Sequence, residues 1–226
     1  MLFSLAEKHE RSYLFRVSKG ELTHDRAVGC ALRQASRDGL DGLSIGALAS
    51  ELGLSKSGVF RHFGSKDALQ LQVLQAAVER FAEIVIRPAI AKERGLPRLK
   101  ALVERWLTWA NDPEMPGGCL IVAASIELDD RPGPQRDFLV AAQREWLKTL
   151  ARAVRLSIEQ GHLRADTSPE QIAFELEALL LGYHHSRRLM NDATADARVR
   201  RAVQRVIESV KVVDISPRRT ARARRA

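Results

Sequence analysis

A chain of 226 residues with 45% hydrophobic and 28% charged residues has the balance of an ordinary globular protein rather than of a disordered or membrane one. The formal charge of +8 suggests a polyanionic partner, but Arg218, Arg219, Arg222, Arg224 and Arg225 all lie in the last nine residues and only +3 remains for the rest. Aromatic residues make up 5% and runs of β-branched residues are few, so helix is favoured over sheet.

Residues 1–22 mix apolar and charged side chains without a period and are expected to form an arm. Thr23 reads as the N-cap of a first helix carrying Ala27, Cys30, Ala31 and Ala35 and ending at Asp38-Gly39. Ser44 opens a short helix with Ile45, Leu48, Ala49 and Leu52 on one face, Gly53 closes it, and Ser55 caps another short helix to about Phe63. From Ser65 a longer helix carries Leu69, Val73, Ala76, Ala77, Arg80, Phe81 and Ile84 and is expected to break at Pro88.

Further helices are expected over Pro97 to Ala110, Cys119 to Leu128 and Gln135 to Gln160, separated by Pro- and Gly-rich stretches. Ser168-Pro169-Glu170-Gln171 combines an N-cap, a Pro at N1 and a Gln placed for a capping box, opening a helix to about Met190. A last amphipathic helix runs from Ala195 to Val213, and Ser216-Pro217 then releases the basic tail. The fold class is all-α.

The informative stretch is SIGALASELGLSKSGVFRHFGSKDAL, Ser44 to Leu69. Two short helices that cross steeply need a small residue at their contact, which Ala49 supplies, and a turn open to positive φ, which Gly53 supplies. Leu48, Leu52, Leu54, Val59 and Phe63 can form a small core between them, leaving Lys56, Ser57, Arg61 and His62 on the outward face. The helix starting after Ser55 directs backbone N–H groups and a positive dipole at whatever it meets, and nine residues span roughly 13 Å, the scale of a major groove about 12 Å wide. This is the pattern of a helix-turn-helix with a recognition helix.

The stretch from Thr23 to Leu74 resembles the N-terminal domain of the tetracycline-repressor (TetR) family. A hydroxyl residue, Ser44, opens the second helix, Gly53 ends it, and the recognition helix closes into Phe63-Gly64-Ser65-Lys66. Pro116-Gly117-Gly118-Cys119-Leu120 and Asp130-Arg131-Pro132-Gly133-Pro134 look like segments of that family's ligand-binding domains. The resemblance implies that Ser44, Lys56, Phe60, His62 and Lys66 sit by phosphates, while Ser57, Gly58 and Arg61 face base edges and Ser55 caps the reading helix. Phe60 stands where the family commonly has Tyr, so a phenolic hydrogen bond to phosphate is lost. The implied protein is a ligand-responsive repressor that binds a pseudo-palindromic operator as a homodimer. Its parts would be an arm over 1–22, a DNA-binding domain over 23–66, a ligand-binding and dimerisation domain over 67–213, and a basic disordered tail over 214–226.

Trp106, Trp109, Met115, Cys119, Trp146, Phe174 and Tyr183 are candidates for an apolar ligand pocket, against the plainer reading of each as core. Ile172, Leu176, Leu179, Leu180 and Tyr183 on one helix and Val199, Val203, Val206, Ile207 and Val210 on the last are candidates for a dimer interface. No metal site is expected, because His184 and His185 point about 100° apart on a helix, and no cofactor motif is present. The chain lacks a Walker loop, G-x-G-x-x-G, G-x-S-x-G, H-E-x-x-H or CxxC, so an enzyme has no candidate constellation. An architectural DNA binder without effector is the competing class, opposed by the roughly 150 residues that follow the helix-turn-helix. Two cysteines in apolar surroundings, no signal-peptide pattern at the start and no run of 18 apolar residues point to the cytoplasm and to no membrane partner.

Overall fold

The computed structural model describes residues 19–212, and among them the chain is helical throughout, with one isolated antiparallel bridge between Leu163 and Lys211. The helices are α1 Lys19–Asp38, α2 Ile45–Leu52, α3 Lys56–Phe63, α4 Lys66–Phe81, α5 Arg87–Ile90, α6 Leu96–Ala110, α7 Leu120–Glu127, α8 Pro134–Glu159, α9 Pro169–Arg188 and α10 Ala195–Val210. The basic tail over 214–226 and residues 1–18 of the expected arm lie outside the described residues.

Four hydroxyl caps fall where local chemistry requires them. Ser44 accepts from Ala47 N–H, Ser55 from Gly58, Ser65 from Ala68 and Ser168 from Gln171. Each satisfies one otherwise unpaired N–H at a helix start, an effect of about 1 kcal/mol. The expected capping box is only half formed, because the Gln171 side chain donates to Glu175 at 2.9 Å instead of turning back.

Three expected boundaries are corrected. The first helix begins at Lys19, so Thr23 lies inside it and residues 19–22 are not an arm. The last helix ends at Val210, where residues 210–212 turn aside to bond with His162 and Arg164. Pro88 does not break the chain: a π-helical turn over Ala82–Ile86 precedes it and helical geometry continues to Ile90. Proline lacks the N–H for the usual bond and crowds the preceding turn, and a wider turn accommodates that defect without ending the helix.

The buried side chains form one connected cluster from Ala27 to Ile207. Helix α4 joins its two ends, packing on α1 at one side and on α7 and α8 at the other. Beyond it α9 packs against both α8 and α10, with α6 on α8. A division near residue 66 therefore cuts a continuous core.

Candidate nucleic-acid interface

Helices α2 and α3 meet over Leu48, Ala49, Val59 and Phe63, all buried. Gly53 takes φ 66° and ψ 31°, the left-handed conformation that lets Leu54 N–H bond back to Ala49 O at 2.9 Å and closes the turn. With that inner face occupied, α3 turns Lys56, Ser57, Phe60, Arg61 and His62 outward, all exposed, with Gly58 half-buried between them. Ser44, Ser55 and Lys66 are exposed as well.

Lys56 and Arg61 have no acidic partner among the described residues, so their charge is free for an external anion. His62 is 6.2 Å from the ring of His24, which itself packs on Phe63 at 5.3 Å, so α1 borders the same surface. Eight residues of α3 extend about 12 Å, enough to cross a major groove. Lys66 also has a contact within the protein: its ammonium donates to Asp41 O at 2.7 Å, tying the start of α4 to the turn before α2 and leaving two further N–H donors.

That turn is held from the other side by residues outside the expected DNA-contacting set. Glu127, at the end of α7, accepts the N–H groups of Leu40 and Asp41 at 3.1 and 3.0 Å. Gln70 donates to Leu40 O at 2.9 Å, and Arg131 pairs with Asp41, whose carboxyl is thereby held below the ordinary carboxylate range. Gly117 passes so close to α1 that a Cβ on it would stand 1.2 Å from Ser36 O. The loop before α7 and the end of α7 thus both bear on the helix-turn-helix.

The candidate pocket residues divide. Trp106, Cys119 and Trp146 line a cavity of about 20 Å³ with Val78 and Phe81 of α4 and Glu177 of α9. A volume of that size holds about one water. Trp109 is buried beside it and donates to Cys119 Sγ at 3.0 Å, while Met115 and Tyr183 are buried outside its lining, Tyr183 packing edge-on against Trp106 at 6.4 Å between ring centroids. Phe174 is corrected outright: its side chain is 64% exposed on the outer face of α9. Burial pushes the Cys119 thiol up to about 11 and the Cys30 thiol up to about 12, which suits small core residues and opposes a redox-sensing role.

The expected dimer stripe is also largely corrected. Ile172, Leu176, Leu180, Tyr183, Val199, Val203 and Ile207 are buried within the subunit, leaving Leu179, Val206 and Val210 half-buried. The exposed apolar row on α9 is instead Phe174, Ala178, Leu181 and Gly182. Helix α9 is apolar on two faces, and periodicity alone does not say which meets the core. Among the described residues no group of His, Cys, Asp and Glu could hold a metal ion, and no helix is long and apolar enough to cross a membrane.

Two family models match the chain: the bacterial regulatory proteins of the tetR family over residues 30–73, and the tetracyclin repressor-like C-terminal domain over residues 95–203. The chain is 28% identical over 145 residues to the HTH-type transcriptional repressor AcnR of Corynebacterium jeikeium, covering 64% of this chain and 70% of that one. Among solved structures, a TetR transcriptional regulator from Chloroflexus aurantiacus superposes with a TM-score of 0.77 at 26% identity, over 86% of this chain and 99% of that one. AibR, solved in complex with isovaleryl coenzyme A and operator DNA, superposes with a TM-score of 0.63 at 18% identity, over 84% of this chain and 98% of that one. With one model on the helix-turn-helix and the other on the helices beyond α4, the chain belongs to the TetR family of DNA-binding transcriptional regulators.

Proposed function

We propose that the protein is a cytoplasmic, ligand-responsive repressor that binds a pseudo-palindromic operator as a homodimer. The observation that carries this reading is the outward face of α3, where Lys56, Ser57, Phe60, Arg61 and His62 stand exposed on a helix braced by its own caps and core. Residues 19–66 serve as the reading head and the helices from α4 onward as the effector and dimerisation part. Lys56, His62 and Ser44 contact phosphates, and Ser57, Gly58 and Arg61 face base edges. Phe60, exposed and without a hydroxyl, offers an apolar contact to sugar or thymine methyl.

Pairing of two subunits through the exposed row Phe174, Ala178, Leu181 and Gly182 sets the two α3 helices about one DNA turn apart. An effector entering the cavity presses on Val78 and Phe81 of α4 and on Ile121 and Val122 of α7. Both helices lead to the reading head, α4 through Lys66 and Gln70 and α7 through Glu127. A ligand that favours one placement of these helices shifts operator affinity by its differential binding. AibR, which shares this fold, is solved with isovaleryl coenzyme A and operator DNA together, so the fold has room for both kinds of ligand.

An architectural DNA binder without effector is the second reading, favoured by the small size of the cavity. Operator mapping with purified protein tests both the DNA contact and its assignment. Arg61→Ala is expected to cost about 1 to 3 kcal/mol and to relax preference at one base of each half-site. Unchanged affinity and base preference in a folded, dimeric variant would remove α3 from its reading role.

A further inference from the structure

Glu177 lies on the inner side of α9, on the same face as the buried residues Ala173, Leu176 and Leu180. A carboxylate there loses hydration that few groups replace. Among the described residues its one hydrogen bond is from the Trp146 indole N–H at 2.5 Å, although an ionised carboxylate offers about four acceptor positions. No Lys or Arg among the described residues pairs with it, and burial holds its carboxyl above the ordinary range, with the indole N–H opposing that shift. The other polar side chain on the cavity wall, Gln143, donates to Ser125 at 3.2 Å.

Around that carboxylate the lining combines aliphatic side chains with three aromatic ones. Trp106, Trp146 and Phe81 all face the cavity, with Phe81 set edge-on to Trp146 at 5.2 Å between ring centroids. An electron-rich ring face attracts a cation, most strongly when both are withdrawn from water. A single anionic group with no cation of the protein beside it among the described residues, in a lining that includes three aromatic side chains, is complementary to one positive charge on an apolar body. An anionic ligand would meet Glu177 with no compensating cation, and an uncharged apolar one would leave the carboxylate as poorly satisfied as before.

We propose that the cavity between Trp106, Trp146, Phe81 and Glu177 takes an organic monocation, a compact apolar body bearing one ammonium group, with Glu177 as its counter-ion. The proposal rests on the effector-binding reading above and names the chemical class of the effector. A cavity of about 20 Å³ is too small for such a molecule, so binding displaces its walls, among them Phe81 on the helix that begins beside the reading head. Ligand entry and a shift of α4 are then one event.

Three water-soluble probes share a ring and differ in charge: cyclohexylammonium, cyclohexanol and cyclohexanecarboxylate. Titration of each into the full chain, read by intrinsic tryptophan fluorescence, reports on Trp106, Trp109 and Trp146 together without DNA, so failure of operator binding and failure of charge selection are separate results. The ammonium is expected to bind about tenfold tighter than the alcohol or the carboxylate. Glu177→Gln, close in shape, is expected to abolish that preference, and Ala142→Phe, which fills the cavity from α8, to abolish binding of the ammonium. If Ala142→Phe misfolds, Ala142→Leu makes the same test with a smaller side chain. Equal or tighter binding of the alcohol or carboxylate, a preference that survives Glu177→Gln, binding that survives a folded cavity-filling variant, or no binding by any probe would each overturn the proposal.

Discussion

Glu127 at the last residue of α7 accepts the backbone N–H of Leu40 at 3.1 Å, across 87 positions of sequence. The same carboxylate takes Asp41 N–H at 3.0 Å, so one side chain braces the turn between the first two helices of the reading head. Helix α7 carries cavity-lining Ile121 and Val122 six and five residues earlier, which puts the cavity and the turn on one rigid element.

Glu127→Ala removes both acceptors while leaving α7 apolar contacts in place. Hydrogen bonds to a charged group contribute about 1.5 to 3 kcal/mol, and partial solvent access reduces that here, so a loss of about 1 to 2 kcal/mol in urea unfolding is expected. Faster amide exchange at residues 40 and 41 should accompany it. Wild-type exchange at those two amides would contradict the brace.

Lys56 and Lys66 are expected to behave differently in DNA binding. Lys56 has no acidic partner among the described residues, so Lys56→Ala should reduce the dependence of log affinity on log salt by about 1 per subunit, the loss of one counterion-releasing contact. Lys66 already donates to Asp41 O, and Lys66→Ala should change that slope less while loosening the same turn. Salt titrations of operator binding by the two variants settle the order, and equal slopes would refute it.

Sedimentation separates the two candidate dimer surfaces. Leu181, 39% exposed on α9, should tolerate Glu in a folded subunit that no longer dimerises at micromolar concentration. Val203 is 8% exposed within the subunit, so Val203→Glu buries a charge and should lower thermal stability instead. A folded, monomeric Val203→Glu together with a dimeric Leu181→Glu would restore the stripe expected from periodicity.

His184 supplies a pH dependence. Burial, with Arg188 and His185 adding, depresses its imidazole to about 4 from an ordinary 6.5, and its Nε2 is buried without a hydrogen-bond partner. The unfolded chain therefore binds a proton at a pH where the folded chain does not, so stability from this group is full above about 6.5, falls as pH drops, and levels off below about 4. Urea midpoints should decline from pH 7 to pH 5, and less steeply in His184→Leu. Titration of His184 near 6.5 by NMR would exclude this account.

Much of the reading head is visible in local chemistry. Ser44, Gly53, Ser55 and Ser65 act within four residues of themselves, and each does in the structure what its type and position imply. Glu177 left a fainter mark: a lone acid at the i+4 position from Ala173 on an otherwise apolar stripe, the signal that a polar residue on a core face carries. Pro88 misled because its effect depends on the turn before it, and a π turn there has no composition of its own.

The sequence by itself determined the helices, their caps, the helix-turn-helix and the family, because these depend on hydroxyls, glycines and apolar spacing acting over a few residues. Tertiary structure alone decided which face of α9 points inward, leaving Phe174 and Leu181 outside and Glu177 inside. It likewise decided that Glu127 reaches Leu40 and that Lys66 turns to Asp41. Those relationships join residues far apart in the chain, and a helix with two apolar faces satisfies its own periodicity in either orientation until its neighbours choose one.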